Sequence, residues 1–210
     1  MVPRSYNEIV NRGLERIAAL SDGVFAIAMT LIVFEIRVPD PGPIRTEAEL
    51  WNALTTLGPR IVTYLLSFLT LGIFWHSQQT QMAFLARADR HYGWIMLAFL
   101  AGVAFMPFTT SLLAEFITYR LALVIYWLNI EVLGAILYGG WAYVERHGFV
   151  RDGTPPEVGS LIRRRIIGAR ALYAFGAVLC LISPLVSIGF IVLVQLNFAI
   201  APRIPVLSRF

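Results

Sequence analysis

Six long apolar segments, separated by short polar stretches, dominate the hydropathy pattern of this chain. A helix crosses a bilayer with about 20 apolar residues, so the pattern predicts six transmembrane helices. Their approximate ranges are 15–38, 55–80, 92–115, 119–144, 163–184 and 186–205. Because no polar stretch is long enough for a separate soluble domain, we expect residues 1–210 to form one all-α, six-helix transmembrane domain.

The first apolar segment carries large side chains on one helical face. No charged residue occurs from Gly23 to Phe34, and Ile27, Leu31 and Phe34 follow one another at helical spacing. Thr30 lies beside them. Such a stripe either packs against another helix or, when repeated around a symmetry axis, lines a pore. The spacing by itself favours packing.

Composition and charge strengthen the membrane interpretation. The chain has 210 residues, 58% of them hydrophobic and 14% charged, with a net charge of +4 and a mean hydropathy of +0.70. All 17 basic residues are arginines. Most fall on one side of the predicted helices: Arg4, Arg12, Arg16, Arg87, Arg90, Arg146, Arg151, Arg163, Arg164, Arg165, Arg170, Arg203 and Arg209. The other side has Arg37, Arg45, Arg60 and Arg120.

This asymmetry follows the positive-inside rule and predicts that both termini face the cytoplasm. The basic charge is therefore explained by topology, and we expect no nucleic-acid partner. The triplet Arg163–Arg165 is interpreted as a membrane-flanking cluster that meets anionic lipid headgroups.

A few polar side chains are predicted at membrane depth, where a charged group costs several kcal/mol. Asp22 is therefore a candidate functional residue. Trp75 and His76 lie at a similar depth on the second helix, and both rings can donate a hydrogen bond to a carboxylate. We predict a polar network that fixes the first helix against the second, formed by Arg16, Ser21, Asp22, Trp75 and His76. Ion coordination by these groups is the alternative.

Two other acidic residues leave alternatives open. Glu131, inside the fourth predicted helix, either pairs with a neighbouring helix or titrates near neutral pH when desolvated. Glu35, near the outer end of the first helix, either attracts cations, pairs with Arg37 or lies at a solvated helix end.

Motifs of catalytic chemistry are missing from the sequence. The three histidines (His76, His91 and His147) lie in different segments, Cys180 is the single cysteine, and there is no His-Glu-x-x-His or Gly-x-Ser-x-Gly motif. We therefore expect no enzyme activity, no catalytic residue and no cofactor.

The segment Arg16-x3-Leu20-Ser21-Asp22-Gly23 resembles the first-helix signature of the prokaryotic homologues of transmembrane protein 175, in which Phe is usual at the position of Leu20. Trp75-His76 and Pro107-x-Thr109 resemble later landmarks of the same six-helix unit.

The resemblance implies a potassium-permeable cation channel without a Thr-Val-Gly-Tyr-Gly filter, which this sequence also lacks. It implies a homotetramer in a prokaryotic plasma membrane, with four first helices around the axis. Matched to the family, Ile27 is the hydrophobic constriction, Thr30 the pore-facing threonine, and Leu31 and Phe34 further apolar rings.

The expected function is thus a weakly selective, K⁺-permeable channel gated by a constriction on the first helix. The only metal expected is transient K⁺, or another monovalent cation, in the pore. The alternative is a proton- or cation-coupled secondary transporter that uses Asp22, His76 and Glu131 as relay groups. It is disfavoured because the sequence lacks two similar halves with interrupted helices. A membrane protein without ion flux is a third possibility.

Overall fold

The computed structural model describes the backbone of residues 6–200 and the side chains of residues 13–198. In this range the chain is α-helical, as predicted. The α-helices are α1 (Tyr6–Leu31), α2 (Glu47–Thr55), α3 (Gly58–Ala83), α4 (Arg90–Glu115), α5 (Arg120–Arg146), α6 (Glu157–Val178) and α7 (Pro184–Ile200). Short 3-10 helices at Ile32–Glu35 and Leu179–Leu181 extend α1 and α6.

Each of the six predicted segments overlaps one long helix. The largest difference is at α1, which begins at Tyr6, nine residues before the predicted position 15. Helix α6 begins six residues before the predicted position 163. Its arginines lie within the helix, where Arg163 forms an ion pair with Glu145 of α5, and do not mark the start of the helix. The end of the sixth predicted segment lies outside the described residues, as do Arg4, Arg203 and Arg209.

Within the described part of the chain, four stretches are long and apolar enough to span a membrane: residues 13–35, α3, α4 and α5. The chain is thus a multi-pass membrane protein. Helix α6 contains four arginines (Arg163, Arg164, Arg165 and Arg170) and α7 has only 17 residues. That these two helices also span the bilayer stays a prediction.

The short helix α2 was not predicted, because its nine residues are too few to form an apolar segment. Its N-terminus is a capping box: the Glu49 amide donates to Thr46 Oγ1 at 3.3 Å, and the Thr46 amide donates to Glu49 Oε2 at 2.9 Å. The Arg45 and Thr46 amides lower the pKa of Glu49. The Thr-x-x-Glu spacing is visible in the sequence and was the signal for this helix.

Consecutive long helices alternate in direction, and contacts at both ends of the bundle show this. At one end, Arg60 at the start of α3 pairs with Glu115 at the end of α4, at 2.5 Å. At the other end, an isolated bridge between Leu85 and Val150 joins the α3–α4 loop to the α5–α6 loop. We call this second end, where Arg87 also lies, the arginine-rich end.

A buried hydrogen-bond network ties four helices together in the core. The Tyr126 hydroxyl lies 3.3 Å from Ser67 Oγ and 3.1 Å from Thr70 Oγ1. Thr110 donates to Ser67 at 2.7 Å, and the Gln195 amide donates to Thr70 at 2.5 Å. All five side chains are buried. The network therefore sets the register of α3, α4, α5 and α7.

Candidate ion pathway

Helix α1 has two different faces. One packs against α3 and α4 of the same chain, and it buries Ser21, Phe25, Ala28 and Ile32. These residues are spaced by four, three and four positions, so they share one side of the helix.

The opposite face of α1 carries the residues predicted to line a pore. Ile27 is 60% exposed, Leu31 45% and Phe34 72%, and Thr30 is exposed beside them. The stripe therefore does not pack inside its own chain. It is available to line a pore, to meet a second copy of the chain, or to contact lipid.

Thr30 is the polar position on this exposed face. Its hydroxyl is shared between the carbonyls of Ala26, at 3.0 Å, and Ile27, at 2.8 Å. Because the hydroxyl donates its hydrogen bond to these helix carbonyls, the lone pairs of its oxygen remain able to accept a hydrogen bond or to contact a cation.

Asp22 binds α3 at the edge of the exposed face. Its Oδ1 accepts hydrogen bonds from Trp75 Nε1 at 2.8 Å and from Gln79 Nε2 at 2.7 Å. Both donors act on the same oxygen, so the carboxyl group holds α1 against α3 at this level.

Ser21 makes a second polar contact between α1 and α3, on the buried side of α1. Its hydroxyl donates to the Ile17 carbonyl at 2.8 Å and accepts from Gln78 Nε2 at 2.8 Å. Gln78 and Ser21 are both buried. The Ser21 hydroxyl is thus paired as both donor and acceptor, whereas the Gln78 Oε1 atom is buried without a hydrogen-bond partner among the described residues.

The structure brings three of the five predicted network residues, Ser21, Asp22 and Trp75, to the contact between α1 and α3. His76 lies in the same shallow groove as Asp22 but is exposed. Arg16 is exposed and lies six residues before Asp22, about 1.7 turns away along α1. Within the described side chains, neither His76 nor Arg16 donates to Asp22.

Sequence reasoning missed the two glutamines of this contact. Gln78 and Gln79 follow Trp75 by three and four positions, so all three share one face of α3. That spacing was the available signal.

Glu131 is paired across helices. Its Oε2 accepts a hydrogen bond from Arg170 Nε of α6 at 2.9 Å, and its side chain is 14% exposed. Arg170 lies 13 residues into α6, a distance of about 20 Å along the axis. Arg170, which was counted only among the arginines on the cytoplasmic side, therefore serves as a partner inside the bundle.

Glu35, at the other end of α1, is bound to neighbouring helices and not to Arg37. Its carboxyl group accepts a hydrogen bond from Ser111 of α4 at 2.7 Å. Its backbone carbonyl accepts one from Arg60 of α3 at 3.3 Å. The segment of α1 that carries the exposed stripe is thus held by polar contacts at both ends. Among the described residues, no cluster of three histidine, cysteine or acidic side chains is arranged to hold a metal ion.

Comparison with known proteins gives consistent matches. The family model described as endosomal/lysosomal potassium channel TMEM175 matches residues 16–107. A protein from Streptomyces collinus named as a potassium channel is 32% identical over 192 residues, which cover 89% of this chain and 84% of that protein. A protein from Chamaesiphon minutus with the same description is 31% identical over 191 residues, covering 88% of this chain and 93% of that protein.

The fold is also similar to a solved structure. The crystal structure of a lysosomal potassium-selective channel TMEM175 homologue from Chamaesiphon minutus matches with a TM-score of 0.77 and 28% identity, over 91% of this chain and 99% of that chain. These findings confirm the resemblance noted in the first helix. The relatives are named as ion channels, in agreement with the expectation that the protein is not an enzyme.

Proposed function

Because the chain belongs to the TMEM175 family of ion channels, we propose that it is a K⁺-permeable channel. In this proposal, residues 1–210 are one six-helix domain, four copies assemble, and α1 of each copy lines the axis. The observation that carries the proposal is the stripe Ile27, Thr30, Leu31 and Phe34, which is exposed although the other face of α1 is buried.

Ile27 forms the gate in this proposal. Four isoleucine side chains around an axis close a narrow path both by steric contact and by excluding water. Opening requires α1 to rotate or shift so that Ile27 leaves the axis. Since Asp22 bonds to Trp75 and Gln79, such a movement must either carry α3 along or break these two hydrogen bonds.

Thr30 gives the pore a weak preference among monovalent cations. Four hydroxyl oxygens can replace part of the hydration shell of an ion, but they do not form a rigid cage of carbonyls. K⁺ is dehydrated more easily than Na⁺, so a modest preference for K⁺ is expected. Leu31 and Phe34 make the path outside Thr30 narrow and apolar.

The arginine distribution supports an orientation with both termini in the cytoplasm of a prokaryotic cell and the protein in its plasma membrane. In this orientation the α3–α4 and α5–α6 loops are cytoplasmic. Glu35 and Arg60 then lie near the outer mouth.

Single-channel recording tests the proposal. The purified protein is placed in a planar bilayer with K⁺ and Na⁺ on opposite sides, beside two variants with the same chemical change. Ile27→Asn alters the proposed gate. Ile167→Asn alters a similarly exposed isoleucine on α6, a helix that packs against α5 and α7.

We expect unitary currents that reverse toward the K⁺ potential, with conductance or open probability raised by Ile27→Asn and unchanged by Ile167→Asn. An equal effect of both variants would show that Ile27 is not the gate. Absence of unitary currents from protein with verified incorporation contradicts a channel. Saturable flux that responds to counter-transport would favour the secondary transporter.

Two further measurements separate the parts of the proposal. The mass of the detergent-solubilised protein tests the tetramer.

Thr30→Val removes the hydroxyl and should lower the K⁺/Na⁺ permeability ratio, whereas Thr30→Ser should retain it. A steep ratio in the wild type would contradict weak selectivity.

A further inference from the structure

The exposed face of α1 has a different helix on each side. On one side, Ala26 and Met29 of α1 form a groove with Gly72 and Trp75 of α3. On the other side lies α4, whose Trp94 borders a groove against α1. Helices α5, α6 and α7 pack on α3, α4 and one another. In a ring of four copies with α1 at the axis, the α3 side of each copy therefore faces the α4 side of the next.

The groove between α1 and α3 is largely apolar and has a volume of about 480 Å³. Ala26 and Gly72 leave it wide, and a Cβ added to Gly72 would meet only Met29 Cε, at 3.7 Å. Phe68 and Trp75 are exposed on the same face of α3, four residues before and three residues after Gly72. The α3 side therefore has a gap between two large aromatic side chains.

Helix α4 has an exposed stripe of its own. Its members are Ala98, Ala101, Phe105 and Phe108, which share one helical face with Trp94. The Phe105 and Phe108 rings lie 4.9 Å apart. The stripe is thus small at the two alanines and bulky at the two phenylalanines.

Contacts inside one copy show which parts of the two stripes lie at the same height. The rings of Phe74 in α3 and Phe99 in α4 are 6.2 Å apart, and Thr110 of α4 donates to Ser67 of α3 at 2.7 Å. Rotation about an axis that runs along the bundle leaves these heights the same in every copy.

Matched on these two contacts, Trp75 is level with Ala98 and Ala101. Gly72 is level with the Phe105 ring, because a helical side chain leans toward the N-terminus of its own helix and covers the turn before it. Large side chains therefore meet small ones at both levels. In lipid, apolar side chains gain nothing by leaving the acyl chains, so association depends on close packing of this kind.

We propose that Phe105 of each copy inserts into the α1–α3 groove of the neighbouring copy, opposite Gly72, and that Trp75 of that copy packs on Ala98 and Ala101. This inference rests on the proposed tetramer and identifies the surface that closes the ring. Since Trp75 also donates a hydrogen bond to α1, the contact between copies acts on a side chain that holds the helix of the proposed gate.

Disulfide cross-linking in membranes tests this, in a background where Cys180→Ala removes the single native cysteine. Phe68→Cys/Phe108→Cys places one cysteine on each stripe at the same height. Phe68→Cys/Leu193→Cys is the matched control, because Leu193 is exposed on α7, which packs against the same helix α3.

We expect oxidation to link the α3–α4 pair into dimers, trimers and tetramers on a non-reducing gel, while the control pair and the single-cysteine variants stay monomeric. Equal linking by both pairs would indicate random collision and overturn the inference. A protein of tetrameric mass without links would overturn it too, since lipid or another face of the chain would then cover the groove. A monomeric mass would overturn the proposed tetramer as well.

Phe105→Ala removes the inserted ring without cysteine chemistry. Phe175→Ala is its control, because this ring is similarly exposed on α6. On dilution in detergent, the Phe105→Ala tetramer should dissociate at protein concentrations on the order of tenfold higher than the wild type, as expected for a central aromatic side chain of an interface. The control should match the wild type. Equal dissociation of the two variants would overturn the inference.

Discussion

Trp75 of α3 donates its indole N–H to Asp22 Oδ1 of α1 across 2.8 Å, and 53 residues separate the two in sequence. This contact joins the helix that carries the exposed stripe to the body of the bundle. Asp22 lies beside the signature residue Ser21, which is bonded to Gln78 of the same helix α3. The signature residues Ser21 and Asp22 therefore each link α1 to α3 by hydrogen bonds.

Trp75→Phe keeps the aromatic ring but removes the N–H donor. We expect the free energy of unfolding to fall by about 1–2 kcal/mol, the usual contribution of such a hydrogen bond. Denaturation of the reconstituted protein measures this. Trp51→Phe on α2, where the indole is exposed, is the matched control and should change stability little. Equal losses would mean that the Asp22 contact does not stabilise the fold.

Tyr126→Phe tests the buried network. Removing the hydroxyl leaves Ser67 and Thr70 short of a partner in the core, and we expect a loss of about 1 kcal/mol, typical of hydrogen bonds between membrane helices. Tyr119→Phe removes the same atom from an exposed side chain and should be nearly neutral. If the two variants unfold alike, the network is not important for stability.

The Arg170–Glu131 pair gives a prediction about non-additivity. Arg170→Leu leaves Glu131, which is largely buried, without its charged partner, and should destabilise the protein by about 3 kcal/mol. The double variant Glu131→Leu/Arg170→Leu removes both charges and should be more stable than the single variant. Thermal unfolding of the three proteins checks this order. A double variant less stable than Arg170→Leu would contradict it.

Hydropathy predicted the positions of the long helices because each of them carries an apolar segment of the length expected for a membrane helix or close to it. It missed α2, whose nine residues are too few to form an apolar segment. The apolar stripe of α1 was also visible, since helical spacing identifies a face. Whether that face is buried depends on which helices pack against α1, and the spacing of residues in the sequence gives no information about those neighbours.

Partners of polar residues were harder to predict. Asp22 stood out as a charge in an apolar helix, but the choice of Gln79 over His76 depends on the rotation of α3 against α1. Likewise, Thr70 and Gln195 meet across 125 residues of sequence. Small polar residues scarcely lower the hydropathy of a helix, so nothing in the pattern indicated that they share a core network.

Asp89, which caps α4, has a lowered pKa. Burial by itself raises the pKa of this carboxyl group, but hydrogen bonds from the Tyr143 hydroxyl and the Tyr92 amide, with the charges of His91 and His147, together lower it below its ordinary value of 3.8. A group whose pKa is lower in the folded state stabilises the fold when it is deprotonated. This stabilisation is present above the ordinary pKa and is lost as the pH falls through the folded-state value.

Acid unfolding of Asp89→Asn should therefore differ from that of the wild type in one pH range. Above the ordinary pKa of an aspartate the wild type should be the more stable protein, and the difference should shrink as the pH falls through the lowered pKa of Asp89 and the wild-type carboxyl group becomes protonated. Tyr143→Phe, which removes one donor to Asp89 but keeps the ring, should show a smaller effect of the same sign. Stability measured against pH for the three proteins decides this. Curves for the wild type and Asp89→Asn that stay parallel through the acid range would mean that the lowered pKa of Asp89 does not contribute to stability.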